Sequence, residues 1–204
     1  MKITDKIKCA GFPCTDIDKK TFIVPPVDID PARIKILMIT EAPPPDKADF
    51  FYAPGEPFYL QTTLQAFREA GVKVQSMKDI LDLGVYITTA IKCAKASLTV
   101  SPETIKNCSA LLEKEVALFP SVRVFFLGGD VAIKIMNGIW KKQTGKRVVP
   151  AGATYKIRRQ AHYLGDKRVF PSYTPAGKNI LIEKGKMGVI AEDIREAMKL
   201  VRQL

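Results

Sequence analysis

No stretch of this sequence approaches the roughly 18 consecutive apolar residues that a membrane-spanning helix needs. The opening segment, MKITDKIKCAGFPC, lacks the apolar centre of a secretory signal. A membrane protein is therefore not expected, and the cytoplasm is the expected compartment. A reducing compartment argues against structural disulfides, so the four cysteines read as metal ligands or buried thiols. Acidic residues are scarce, 21 against 32 lysines and arginines, for a net charge of +11. That excess points to a polyanionic partner (DNA, RNA or an acidic membrane surface) or to a solvated basic face. There is a single histidine, His162, and no internal repeat or low-complexity tract.

Hydrophobic residues make up 47% of the chain, enough to exclude disorder for most of it. The 204 residues predict one domain, 1–204, with 1–32 as an irregular, cysteine-bearing N-terminal segment. Beyond that segment, strands and helices alternate. Ile36–Ile39, Val85–Ile87, Val122–Leu127 and Val169–Phe170 read as buried strands. Leu60 to Ala70 has helical spacing, with Leu60, Leu64, Phe67 and Ala70 on one face. Ser101-Pro102-Glu103 has the form of a cap, a first-turn proline and a first-turn acid, and predicts a helix to about Leu118. Gly128-Gly129 predicts a tight turn, with Asp130 capping a helix toward Trp140, and a last helix runs from about Ile190 to Val201. The pattern predicts a three-layer α/β/α sandwich around a central, mostly parallel four-stranded sheet. Ligands of such sheets sit beyond the carboxyl ends of the strands, where the loops after Ile39, Ile87, Leu127 and Phe170 should meet.

Cys9 and Cys14 are separated by four residues, Cys93 and Cys108 by fourteen. A zinc ribbon wants two tight pairs, and only the first is tight. An iron–sulfur cluster needs four thiolates and tolerates varied spacing. Spacing alone leaves a metal site and buried free thiols both open.

Several segments in order resemble family 4 of the uracil-DNA glycosylases. Thr40-Glu41-Ala42-Pro43 resembles that family's Gly-Glu-Ala-Pro-Gly, and Gly55-Glu56-Pro57-Phe58 its Gly-x-Pro-Phe. Val85-Tyr86-Ile87-Thr88-Thr89-Ala90-Ile91-Lys92-Cys93 is similar to Val-Tyr-Ile-Thr-Asn-x-x-Lys-Cys, and Leu127-Gly128 to a strand-ending Leu-Gly. Phe170-Pro171-Ser172-Tyr173-Thr174-Pro175-Ala176 is similar to Phe-Pro-Thr-Tyr-His-Pro-Ala, and Glu192-Asp193-Ile194 fits the terminal helix. The likeness covers about residues 8 to 200.

The resemblance implies a monomeric DNA glycosylase of base excision repair, excising uracil or another deaminated base, with Cys9, Cys14, Cys93 and Cys108 holding a [4Fe-4S] cluster that pins the N-terminal segment. It implies that Glu41 orients the base or favours the sugar cation, that Phe58 stacks on the flipped base, and that Ala42 and Thr89 border it. Thr174 then faces the leaving base, and Pro175, Ala176, Gly177 and Lys178 form a loop inserted into the minor groove. Asp46 and Asp49 are further candidate acids, and Arg158, Arg159, Lys167 and Arg168 candidate phosphate contacts.

Two departures fall on this site. Thr89 replaces an asparagine whose amide makes a two-point contact to uracil, and Thr174 replaces the histidine that donates to the leaving oxygen. Pro44 replaces a glycine and removes a backbone N–H. His162 lies outside the motif and is expected to be structural or on the surface. Three functions follow as expectations: an active glycosylase, a nucleic-acid-binding homologue without turnover, and a metal-stabilised adaptor.

Overall fold

The computed structural model describes residues 1–177, 179–182 and 184–202. Its strands are β1 (Ile17–Asp18), β2 (Ile36–Thr40), β3 (Val85–Thr89), β4 (Ala94–Lys95), β5 (Val124–Gly128), β6 (His162–Leu164) and β7 (Lys167–Ser172). Its helices are α1 (Phe58–Glu69), α2 (Met77–Asp82), α3 (Pro102–Val116), α4 (Asp130–Thr144), α5 (Thr154–Ile157), α6 (Asn179–Ile182) and α7 (Lys184–Arg202).

Five strands form the central sheet in the order β3-β2-β5-β7-β6. The first four are mutually parallel, and β6 joins the edge antiparallel to β7. The predicted four-stranded sheet thus gains a fifth strand. It escaped notice because it has three residues, with His162 buried and Tyr163 exposed. Such a stub covers the edge of β7 without offering a long edge of its own.

Side-chain alternation divides the core into two layers. Ile36, Met38, Ile87, Val124, Phe126 and Phe170 pack with α1 and α7 through Leu64, Phe67, Ile190 and Ile194. Leu37, Ile39, Tyr86, Phe125, Leu127 and Val169 pack on the other face with α3 and α4 through Leu112, Ile135, Ile139 and Trp140. Both faces being covered explains why the central strands read as continuous apolar runs. The result is the predicted α/β/α sandwich.

Element ends differ from the sequence reading at several places: α1 begins at Phe58, β5 at Val124 and β7 at Lys167, and α3 stops at Val116. Gly129, not Asp130, takes the N-cap position of α4, with φ +102°, and Asp130 is the first helical residue. α7 begins at Lys184, earlier than expected, because Gly185, Lys186 and Gly188 conceal its first turn in the sequence. At α3 the expected cap forms: Ser101 Oγ accepts from Thr104 N at 3.2 Å.

The N-terminal segment is held at a few points. The Met1 ammonium pairs with Asp28 at 2.6 Å, and β1 pairs with β4 just after Cys93. Asp16 accepts from Ser101 N at 2.6 Å and from the Thr104 hydroxyl at the start of α3. Among the described residues no helix is long and apolar enough to cross a membrane.

Candidate active site

The chain enters the sheet at β2, places β3 on one side of it and β5 on the other. This change of direction opens a crevice beyond the carboxyl ends of β2 and β5. Glu41 follows β2 directly, and Gly129 follows β5. The Glu41 backbone is fixed because Ala90 N donates to Thr40 O at 2.7 Å and Ile91 N to Glu41 O at 2.8 Å. Its carboxylate accepts from Lys95 Nζ at 2.9 Å and from Val131 N, in the first turn of α4, at 3.3 Å. The N–H groups of a first turn favour an anion there. Gly129 makes the approach possible, because a β-carbon on it would lie 2.6 Å from Glu41 Oε1.

The crevice is an open cleft of about 470 Å³. Glu41, Ala42, Thr174 and Ala176 line it, as do Tyr59 and Lys95, which the sequence reading did not single out. Phe58 is half-buried at the first position of α1 and is not part of the lining. Its neighbour Tyr59 is, packed edge-on against Phe51 at 5.4 Å. Burial, with Asp49 and Glu41 nearby, raises the Tyr59 phenol above its ordinary value. The only advance sign of Tyr59 was its place beside the Gly-x-Pro-Phe segment. Lys95 ends β4, two residues beyond Cys93, where no motif marks it.

Thr174 is half-buried, and its hydroxyl donates to Gly128 O at 2.7 Å. Thr89 ends β3 in register with Thr40, the residue before Glu41. It is buried, lies outside the cleft lining, and its hydroxyl has no hydrogen-bond partner among the described residues. Pro175, Ala176 and Gly177 are buried against α1: Thr63 Oγ1 donates to Pro175 O at 3.3 Å, and Gly177 N donates to Thr62 Oγ1 at 3.3 Å. Lys178 lies outside the described residues. Asp46 caps a short turn through Ala48 N at 2.9 Å, and Asp49 accepts from Phe58 N at 3.4 Å.

The candidate phosphate contacts are partly committed elsewhere. Arg158 binds Asp193 through Nη2 at 2.7 Å and Nε at 3.2 Å, and Ser172 Oγ donates to the same carboxylate at 2.6 Å. Burial pushes Asp193 up from the usual carboxylate range, although Arg158 and Ser172 oppose it. Arg168 lies over the Phe170 ring at 4.2 Å, and Lys167 is 3.6 Å from Asp166. His162 is buried and shares a 2.8 Å hydrogen bond with Ile157 O, which is a structural placement.

None of the four cysteines is paired in a disulfide; Cys14, Cys93 and Cys108 are buried, Cys9 partly so. Burial, and then the neighbouring Cys108, Cys9 and Cys14, push the Cys93 thiol up to about 12. The thiols of two distant segments therefore lie within electrostatic reach of one another. Among the described residues, however, no three histidine, cysteine, aspartate or glutamate side chains stand at a spacing that would hold a metal ion.

Beside Cys93 lies a second feature the sequence did not announce. Lys92 is fully buried and forms an ion pair with buried Glu115 of α3. Lys92 Nζ also donates to Thr88 Oγ1 at 2.9 Å and Thr89 O at 2.5 Å. Glu115 accepts from Tyr86 OH at 2.7 Å and Thr88 Oγ1 at 2.9 Å. Each charge is thus paired and hydrogen-bonded, which is the condition for tolerating it in an apolar interior.

Comparison with known proteins agrees with this geometry. The model of the uracil DNA glycosylase superfamily matches residues 26–187, well over half of the chain. The chain is also similar to the Type-5 uracil-DNA glycosylase of Thermus thermophilus, 28% identical over 100 residues, or 49% of this chain and 46% of that protein. It therefore matches about half the length of that curated relative. The sheet order, the crevice at its change of direction and the family match together place the chain in the uracil DNA glycosylase superfamily.

Proposed function

We propose that the chain is a DNA glycosylase that hydrolyses the N-glycosidic bond of uracil or another deaminated base extruded from DNA. The observation that carries this reading is the Glu41 carboxylate, fixed by its backbone, by Lys95 and by the start of α4, at the mouth of an open cleft. A base must leave the stack to be reached, and it would enter this cleft. As the bond from C1′ to the base nitrogen breaks, the electron pair leaves with the base and the sugar becomes cationic. Glu41 stabilises that cation and accepts a proton from the water that adds to C1′. The proton taken up by Glu41 passes through solvent to the base nitrogen, so that water's hydroxyl ends on C1′ of the abasic site and its hydrogen on the free base. Lys95 offers the departing anion a positive neighbour in a site shaped beforehand, the arrangement that gives electrostatic catalysis its effect. Tyr59 supplies an aromatic wall. Superfamily membership supports the reaction class, and the net charge of +11 supports a polyanionic substrate.

A [4Fe-4S] cluster on Cys9, Cys14, Cys93 and Cys108, as in the family 4 likeness, is part of the same reading. The donor set fits in number and kind: four thiols, none in a disulfide, from the N-terminal segment, the end of the β3–β4 connection and α3. The cluster's role is to clamp the N-terminal segment; the chemistry at Glu41 does not pass through it.

A second reading, a DNA-binding homologue without turnover, has one observation in its favour. The Thr174 proton is committed to Gly128 O, so this hydroxyl does not donate to a leaving base. The test is incubation of anaerobically purified protein with labelled oligonucleotides containing uracil, hypoxanthine or xanthine, followed by alkali. Strand breaks that vanish in Glu41→Gln would support the glycosylase and name its base. Salt-sensitive binding with no breaks at any lesion would leave the second reading.

A further inference from the structure

A groove of about 320 Å³ lies between α4 and the segment 147–157, and Asp130 is the one residue it shares with the cleft. Its two walls are fastened to each other. Asn137 of α4 donates through Nδ2 to Val149 O at 2.8 Å, and its Oδ1 accepts from Val148 N at 3.1 Å and Val149 N at 3.0 Å. Buried Ile133 and Ile157 form the floor. Lys134, Lys141 and Arg147 stand exposed around it, and among the described residues none of the three is in an ion pair. Gly138 also lines the groove, in the middle of α4. Glycine inside a helix costs stability relative to alanine. Yet a β-carbon on Gly138 would meet nothing within 4 Å, so packing within the chain does not demand the glycine. Its bare position leaves the groove open at mid-length.

We infer that this groove docks a peptide segment of a partner protein in which aliphatic side chains alternate with acidic ones. From Asp130 to Lys141 the helix rises about 16 Å, the span of about five residues of extended chain. A compact anion would contact only one end of that length. An extended peptide turns alternate side chains to opposite sides. Its aliphatic side chains can therefore rest on Ile133, Ile157 and the bare Gly138 while its carboxylates meet Lys134, Lys141 and Arg147. Apolar anchors supply affinity in such a contact, and charges supply register and rate. A phosphodiester strand fits less well. It would lay charge over Ile133 and Ile157, and it would meet the Asp130 carboxylate at the end nearest the cleft. A peptide can offer that end an N–H or a cation. The fixed walls spare the ordering cost on this side of the contact. Glu41, Tyr59 and Lys95 are not part of the groove, so docking is separate from the chemistry of the cleft.

The test is fluorescence anisotropy of fluorescein-labelled synthetic peptides with the full chain. The probe is a peptide of alternating leucines and glutamates. One control carries lysines in place of the glutamates, another serines in place of the leucines, and a labelled DNA duplex is titrated beside them. Wild type is compared with Gly138→Trp, which fills the groove without changing charge, and with the double variant Lys141→Glu, Arg147→Glu, which reverses the charge around it. Circular dichroism checks that each variant is folded. Wild type should bind the leucine–glutamate peptide and neither control peptide. Each variant should bind that peptide about tenfold or more weakly, while Gly138→Trp binds the duplex as wild type does. No binding of the probe by wild type, undiminished binding by either folded variant, or equal binding of the serine control overturns the proposal. A duplex affinity that falls along with the peptide affinity in Gly138→Trp also overturns it and makes the groove a path for DNA.

Discussion

The Glu41 carboxylate occupies the space that a β-carbon on Gly129 would need, with Oε1, Cγ and Cδ all within 2.9 Å of that position. The two residues follow neighbouring parallel strands, so each limits what the other can be. Gly129→Ala would leave the sheet in place and push the flexible carboxylate aside. Misplacement of a reacting group by about 1 Å costs about 10²-fold, so excision by Gly129→Ala should fall by that order in single-turnover kinetics. The positive φ of 102° adds a stability loss of about 1–3 kcal/mol. Full activity in this variant would mean that the carboxylate needs no fixed position.

The Lys92–Glu115 pair should behave as a buried charge network. Lys92→Met leaves Glu115 with no cation in an interior where it is 1% exposed. The expected loss is about 3–5 kcal/mol in denaturant unfolding. Adding Glu115→Leu and Tyr86→Phe to Lys92→Met should recover much of it, since charge and donors are then removed together. If the triple variant is no better than Lys92→Met, the loss came from packing.

The Thr89 hydroxyl is buried and has no hydrogen-bond partner among the described residues. Thr89→Val removes it with little change of shape, so folding stability should hold or rise by up to about 1–3 kcal/mol, the usual cost of an unsatisfied buried group. If the hydroxyl serves an extruded base, kcat/KM should fall in the same variant. Stability gained with activity unchanged would assign Thr89 to the fold alone.

Asp16 ties the N-terminal segment to α3. Burial opposes its charge, yet hydrogen bonds from Thr104 and Ser101 hold the carboxyl below its ordinary 3.8. A carboxylate with a depressed folded-state value contributes stability above its unfolded value, and that contribution is lost as pH falls through the folded one. The wild type should therefore hold its N-terminal segment against protease near neutrality and release it below about pH 4. Asp16→Asn should release it at every pH. Limited proteolysis across pH, read by the fragment cut ahead of Ile17, checks both.

Much of the fold was legible because its strands are buried on both faces and its helices carry ordinary start signals. Ile36–Ile39 and Val122–Leu127 read as apolar runs for the reason that makes them central. The three-residue β6 was not legible, because so short a segment has no period to detect. Of the site, Glu41, Ala42 and Thr174 could be named from motif likeness, and they do line the cleft. Tyr59 and Lys95 could not, since an adjacent tyrosine and the lysine of a two-residue strand carry no sign of where their side chains end.

The sequence alone determined the layer architecture, the absence of a long apolar helix among the described residues, the positive charge, and the order of the motifs, since these depend on local periodicity and composition. Tertiary structure decided everything that depends on distance between distant segments. It set Glu41 against Gly129 and Lys95, Lys92 against Glu115, and Cys93 within electrostatic reach of the other three thiols. It also buried Pro175–Gly177. Those outcomes follow from the order of strands in the sheet, which decides which loops meet.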